Sequence, residues 1–309
     1  MLSIKTLDVE INKNGQNYLV SNNSITGTSL EVLSFMSSGI KKRSGSGTSE
    51  GRPGRINYYS EDEYRTITMT VEATAEDMQD IAHLRDAVNE LFDGEMFIRE
   101  KRIKDIKIEY ERPGERTGEL QLEAPEYVNG KQIKVAKVNS IETDDTTLRS
   151  TFTVEFETVE LPYFETIYTT LELHDSGYAH SAEKYGLVDN IDDEKVKYRF
   201  TSNNFTVYNA GNVTVEPESM MLNINVNVVQ SDNNFTIRNI TTGEEVILKR
   251  ESKGSHFRIR GMVISLGSIT NIFRDTNRRF ISLVPGDNQF EILNGTFEEI
   301  RFEFKFLYK

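Results

Sequence analysis

The sequence predicts a mostly β protein with one helix: an N-terminal α+β domain followed by an antiparallel β-sandwich. Three observations carry this. Apolar residues alternate at period two over much of the chain. One segment, and only one, switches to a spacing of three and four. Short alternating runs separated by turn residues fill the C-terminal third.

The alternation is clearest at the two ends of the C-terminal region. Ile300, Phe302, Phe304, Phe306 and Tyr308 interleave with Arg301, Glu303, Lys305 and Leu307, and Leu222, Ile224, Val226 and Val228 interleave with asparagines. Successive side chains of a strand point to opposite faces, so these runs predict half-buried strands. Shorter runs predict further strands at Val196–Phe200, Phe205–Tyr208, Phe235–Arg238, Glu245–Lys249, Phe257–Ile264, Phe280–Val284 and Phe290–Leu293. Many short strands with turns between them read as a sandwich or barrel. Asn14-Gly15, Asn129-Gly130 and Asn294-Gly295 predict hairpin turns, because both residues tolerate the positive φ of a type I′ turn. The last pair is expected to join Phe290–Leu293 to the terminal strand as a hairpin.

The exception to the β rhythm is Thr74–Phe92. Met78, Ile81, Leu84, Val88, Leu91 and Phe92 fall on one face of a helix. Thr74 is the expected N-cap, with Asp77 in capping-box position, and Gly94 stands where a left-handed C-terminal residue is usual. Strands are expected on either side, at Arg65–Glu72 with Ile67, Met69 and Val71 inward, and at Glu95–Glu100 with Met96 and Ile98 inward. One amphipathic helix covering a sheet is an α+β arrangement.

A chain of 309 residues suits two domains. The boundary is expected in 166–195, a linker or long surface loop carrying the acidic run Asp189 to Glu194, between an N-terminal domain of residues 1–165 and a C-terminal one of 196–309. A second polar stretch, Ser37–Arg55, is rich in Gly and Ser and carries Lys41, Lys42, Arg43, Arg52 and Arg55 against Glu50, a net +4. It reads as a mobile loop, too polar to order itself on its own core.

Composition excludes several function classes. The net charge is −13, which opposes binding to a phosphate backbone. No cysteine is present, so disulfides, thiolate metal sites and cysteine nucleophiles are excluded. The four histidines stand singly, at 83, 174, 180 and 256, and predict no metal site. No apolar run reaches the roughly 18 residues of a membrane helix, and the N-terminus lacks a signal-peptide core; membrane insertion and secretion are not expected.

Catalytic motifs are missing too. The glycines from Gly45 onward are not followed by Lys-Ser or Lys-Thr, so they form no phosphate-binding loop. Asp189–Glu194 lacks the alternating ligand spacing of a calcium loop. Neither a Gly-x-Ser-x-Gly elbow nor a His-Glu-x-x-His pair occurs. The expectation is a non-enzymatic protein with no catalytic residue, no metal and no cofactor.

Three features in order resemble the distal tail protein family of long-tailed phages that infect Gram-positive bacteria. The first is a basic Gly-rich loop, then Tyr64-Arg65-Thr66-Ile67-Thr68-Met69-Thr70-Val71, one helix, and Met96-Phe97-Ile98-Arg99. The second is the strand Thr151–Glu157 running into Leu161-Pro162-Tyr163-Phe164-Glu165. The third is Val284-Pro285-Gly286-Asp287-Asn288 ahead of the terminal strand Ile300–Tyr308. The resemblance implies a ring-forming N-terminal domain and a galectin-like or carbohydrate-module-like sandwich behind it. It implies a homo-hexameric ring at the distal end of the virion tail, assembled in the host cytoplasm. That ring would join the tail tube (major tail) protein to the tail-tip fibre or tail-associated lysin and serve as a hub for receptor-binding or baseplate proteins. DNA would pass through its channel without specific binding. On this reading Lys41, Lys42, Arg43, Arg52 and Arg55 belong to an inter-subunit loop. Two alternatives stay open: a cell-wall carbohydrate-binding module, weakened by the absence of tryptophan, and a tail-tip hydrolase.

Overall fold

Strands form where the side chains alternate, and the structure, a computed structural model, shows how they pair. It describes residues 7–48, 50, 51, 53–102, 130–144, 146–176 and 190–309. The chain divides into two units, Met1–Phe164 and Glu165–Lys309.

The first unit contains β1 (Leu7–Lys13), β2 (Gln16–Leu19), β3 (Leu30–Ser37), β4 (Lys41–Gly47), β5 (Ile56–Tyr64), β6 (Thr66–Thr74), α1 (Asp80–Leu91), β7 (Glu95–Arg102), β8 (Lys131–Lys137) and β9 (Arg149–Thr158). Seven of these strands run antiparallel in the order β2-β1-β7-β8-β9-β6-β3. The β1–β2 turn places Asn14 and Gly15 at φ 53° and 79°, as the hairpin prediction required. One face of the sheet is apolar: Val9, Ile11, Ile67, Met69, Val71, Ile98, Ile133 and Val154 are all buried. Helix α1 adds Val88 and Leu91 to the same cluster, and Phe92 meets Phe156 edge-on at 6.1 Å. Full burial of one such side chain contributes about 1.5–3 kcal/mol.

The second unit begins within β10 (Phe164–Thr166). It continues through α2 (Thr170–Ser176), β11 (Arg199–Phe200), β12 (Asn204–Asn209), β13 (Leu222–Ser231), β14 (Phe235–Asn239), β15 (Glu244–Leu248), β16 (Ser252–Arg260), β17 (Val263–Leu266), β18 (Gly286–Leu293), β19 (Glu299–Phe304) and β20 (Leu307–Tyr308). Its strands form two antiparallel sheets, ordered β11-β19-β13-β16-β17 and β12-β18-β14-β15. Aromatic rings fill the space between them. Phe200 stacks on Phe205 at 4.3 Å, Phe290 meets Phe302 at 4.9 Å, and Phe235 meets Phe257 edge-on at 6.2 Å. Each of these pairs joins one sheet to the other, so the unit is a sandwich with a phenylalanine core.

Several expectations are corrected. Helix α1 starts at Asp80, not after Thr74, because β6 continues through Thr74 and pairs it with Arg149. Asp77 still caps the turn that leads in: its Oδ1 accepts from Gln79 N at 2.7 Å and Asp80 N at 3.0 Å. Met78 therefore lies outside the helix and is exposed. A second helix, α2, joins the one expected. Residues 166–195 are not a free linker where described: Thr166 N donates to Phe306 O at 3.0 Å, and Thr170 Oγ1 donates to Phe302 O at 2.9 Å and accepts from Phe304 N at 3.1 Å. These bonds make the segment part of the second unit. The run Phe257–Ile264 is broken by a turn at Gly261 into β16 and β17. Phe280–Val284 contributes only one bridge, Leu283 to Val215.

The Asn294-Gly295 pair is not a hairpin. Strands β18 and β19 lie in different sheets. Asn294 has φ 61°, but a Cβ on Gly295 would come within 2.7 Å of the Gln230 carbonyl oxygen and 2.8 Å of the Phe235 ring. The glycine is there for close approach at a crossing between sheets. Asn129 lies outside the described residues.

Candidate functional site: an exposed β-ribbon

The segment read as a mobile loop is a β-ribbon. Strands β4 and β5 pair only with each other, with Arg43 opposite Glu61, Ser44 opposite Ser60 and Gly45 opposite Tyr59. Two features explain why such a polar sequence orders itself.

The first is glycine under tyrosine. A Cβ on Gly45 would fall 2.3 Å from the Tyr59 ring, and one on Gly47 would fall 2.8 Å from the Tyr58 hydroxyl. The bare glycine backbone lets both rings lie across β4. Cross-strand aromatic cover of a glycine recovers packing that the missing side chain cannot supply. Both rings stay exposed, Tyr58 at 67% and Tyr59 at 47%.

The second is charge matching. Arg43 pairs with Glu61 at 2.7 Å and Lys42 with Asp62 at 3.7 Å. Lys41 Nζ lies 2.5 Å from the Tyr64 hydroxyl and 4.6 Å from its ring centre. The hydrogen bond to Tyr64 raises the Lys41 pKa, and that to Glu61 raises the Arg43 pKa. Once Glu61, Asp62 and Glu63 are included, the ribbon from Lys41 to Tyr64 carries only +1. Of the five cations singled out from sequence, three are thus satisfied within the ribbon. Arg55 is exposed near the tip, and Arg52 lies outside the described residues. The acids that mirror the bases across the turn were the signal for this pairing.

The base of the ribbon is anchored. Ser38 and Thr66 exchange backbone and hydroxyl bonds at 2.9 Å. The Tyr163 hydroxyl donates to Asp62 at 2.9 Å. Arg65 exchanges two bonds with Thr158 at 3.0 Å. Arg65 is 6% exposed, and its guanidinium carbon lies 5.0 Å from the Phe164 ring centre. Its Nε has no hydrogen-bond acceptor, and burial lowers its pKa. None of Tyr58, Tyr59, Asp62, Arg65 and Tyr163 was marked as functional from sequence, since their roles depend on partners far along the chain. Beside the ribbon, β3 ends its sheet and exposes Leu33 and Met36, at 49% and 58%.

The other sequence candidates assemble into no site among the described residues. Among the described residues no cluster of histidine, aspartate and glutamate is arranged to hold a metal. Asp192 caps a short turn by accepting from Glu194 N at 3.1 Å. His83 and His256 are exposed, and His174 contacts the Val196 carbonyl at 3.4 Å. His180 lies outside the described residues. Among them, too, no helix is long and apolar enough to cross a membrane.

No protein-family model matches the chain, and no curated protein does. Solved structures do. The SPP1 Dit protein (gp 19.1), described as a paradigm of the hub adsorption apparatus in Gram-positive infecting phages, superposes with a TM-score of 0.60 at 11% identity, over 98% of this chain and 100% of that one. The chain has the fold of a phage distal tail protein. Chains of the phage P2 baseplate in its activated conformation, with Ca and with Sr, align over 97% of this chain at 10% identity, with TM-scores of 0.41 and 0.40. The likeness to SPP1 Dit spans both units.

Proposed function

We propose that this protein is a structural component of a phage tail tip. Its first unit builds a homo-hexameric ring between the tail tube protein and the tail-tip fibre or tail-associated lysin. Its second unit, a galectin-like sandwich, faces outward as a docking platform for receptor-binding or baseplate proteins. The observation that carries this reading is the end-to-end likeness to SPP1 Dit. The ribbon supports it. A closed ring needs the same heterologous contact repeated around an axis, and specific contacts occupy about 800 Å² per partner. A two-stranded ribbon whose faces are largely exposed, rooted beside the exposed Leu33 and Met36, supplies such area. The −13 net charge suits a channel through which DNA slides without sticking.

The reading assigns the protein no catalysis and no cofactor. Electron microscopy of the purified full-length protein tests it: six-fold rings with a central channel are expected, and a population of monomers at micromolar concentration rejects it.

A further inference from the structure

The second unit has one sheet face that does not match the charge of the chain. On β13, β16 and β19 the apolar residues Ile224, Phe257, Ile259, Ile300 and Phe302 are buried inward. The alternate residues form the outer face. Registration places Arg199 opposite Arg301, Arg301 opposite Asn225, and Asn225 opposite Arg258, so one lateral row across four strands holds three arginines. Arg260 follows on the same face two residues beyond Arg258. Like charges directly opposite destabilise a sheet. Glu299 relieves part of this row by contacting both Arg199 and Arg301. Arg258 and Arg260 pair with no carboxylate among the described residues. In a chain of net charge −13 that is an unspent local positive field.

The same face turns apolar at its edge. Arg260 stands opposite Val263, which is 53% exposed, and Met262 beside it is 50% exposed. Gly261 N donates to Leu222 O at 3.1 Å, which brings the chain at Met221, 41% exposed, alongside. Arginine with methionine and an aliphatic residue is the composition of a protein interface core. Neither Arg258 nor Arg260 lines the pockets of about 540 and 470 Å³ in this unit, the first of which lies at the other end of β13 and β16, around Gln230, Ser231, Ser252 and Lys253. A small ligand prefers a concave site.

We propose that this outer face, centred on Arg258 and Arg260, docks an acidic protein surface whose carboxylates pair with the two guanidiniums while apolar side chains cover Met262 and Val263. The partner is protein and not nucleic acid for two reasons. The exposed apolar edge at Met221, Met262 and Val263 offers phosphates nothing, and the chain's −13 net charge opposes a long polyanion while a protein surface brings its own apolar side chains. The proposal rests on the tail-tip reading for the assembly in which the partner is met. There, several copies around a ring would multiply a weak single contact.

The test uses full-length protein and a fluorescent oligo-glutamate peptide, followed by anisotropy. The variant R258E/R260E is compared with R278E/R279E, which changes the net charge equally at two exposed arginines on a different loop. Binding to wild type, weakened about tenfold or more by the first variant and little by the second, is expected. Equal weakening by both, no binding to wild type, or tighter binding of an oligodeoxythymidine of equal charge overturns the proposal. Should R258E/R260E fail to fold, R258Q/R260Q removes the charges without adding acids and answers the same question. Light scattering on the same samples reports ring formation separately. Loss of peptide binding with rings intact concerns this face alone, and absence of rings with binding intact concerns the ring alone.

Discussion

Asn288 binds both backbone groups of Val284 with one side-chain amide. Val284 N donates to Oδ1 at 3.0 Å, and Nδ2 donates to Val284 O at 2.8 Å. The amide acts as a neighbouring strand residue would, closing the turn through Pro285 and Gly286. Asn239, also fully buried, donates to the same Oδ1 at 3.2 Å and to Ser282 O at 3.0 Å. The Val284-Pro285-Gly286-Asp287-Asn288 motif is thus a polar staple inside the sandwich.

Asn288→Ala strips this staple and leaves the half-buried Val284 N–H and C=O and the buried Asn239 amide without this partner. A loss of about 2–4 kcal/mol is expected, since each orphaned group costs about 1–3 kcal/mol. Denaturant unfolding followed by tyrosine fluorescence measures it. A loss below about 1 kcal/mol means that water replaces the amide.

Deleting Lys41–Gly54 is expected to abolish rings in light scattering while each unit still unfolds cooperatively. Arg43→Ala is expected to leave rings intact, because the Arg43–Glu61 pair is exposed on both sides and screened by solvent. Rings formed as readily by the deletion variant would assign the ribbon to contact with a different tail protein.

On α1, Leu84 is partly buried against the core, whereas Ala82 is exposed. Leu84→Asp is expected to cost several times more than Ala82→Asp. The first desolvates a carboxylate at a cost of about 1–3 kcal/mol or more, and the second stays within about 0.5 kcal/mol. Thermal melts of the two variants side by side decide it; equal melting temperatures mean that α1 is turned differently on the sheet.

Tyr198 is fully buried and donates to Tyr208 O at 2.9 Å. Burial raises its pKa well above the ordinary 10.0. The folded state therefore keeps a proton that the unfolded state releases above pH 10. Stability is intact below pH 10 and falls as pH rises past it, by at most about 1.4 kcal/mol per pH unit from this group. Tyr198→Phe is expected to cost about 1 kcal/mol at pH 7 and to flatten the alkaline decline. Parallel slopes for variant and wild type between pH 10 and 11 would contradict the assignment.

What the sequence determined by itself is the mostly β character, one amphipathic helix and the inward faces of the clearest alternating runs. Ile67, Met69, Val71, Ile300, Phe302 and Phe304 are buried where alternation placed them, because the period of a strand is a property of its own backbone. The helical face of Val88 and Leu91 and the Asn14-Gly15 hairpin were legible for the same local reason. Everything that depends on a distant partner was decided by the tertiary structure. Thr74 prefers a cap in isolation but is claimed by Arg149 in the next strand. Asn294-Gly295 satisfies a hairpin pattern, yet Gln230 and Phe235 press on the glycine and the chain crosses between sheets. The stretch Ser37–Arg55 reads as too polar to order itself because its matching acids, Glu61 and Asp62, follow the turn and meet Arg43 and Lys42 only when β5 pairs with β4. The arginine row of the second unit exists only through registration: Arg199, Arg258 and Arg301 are far apart along the chain, and three strand pairings bring them into line.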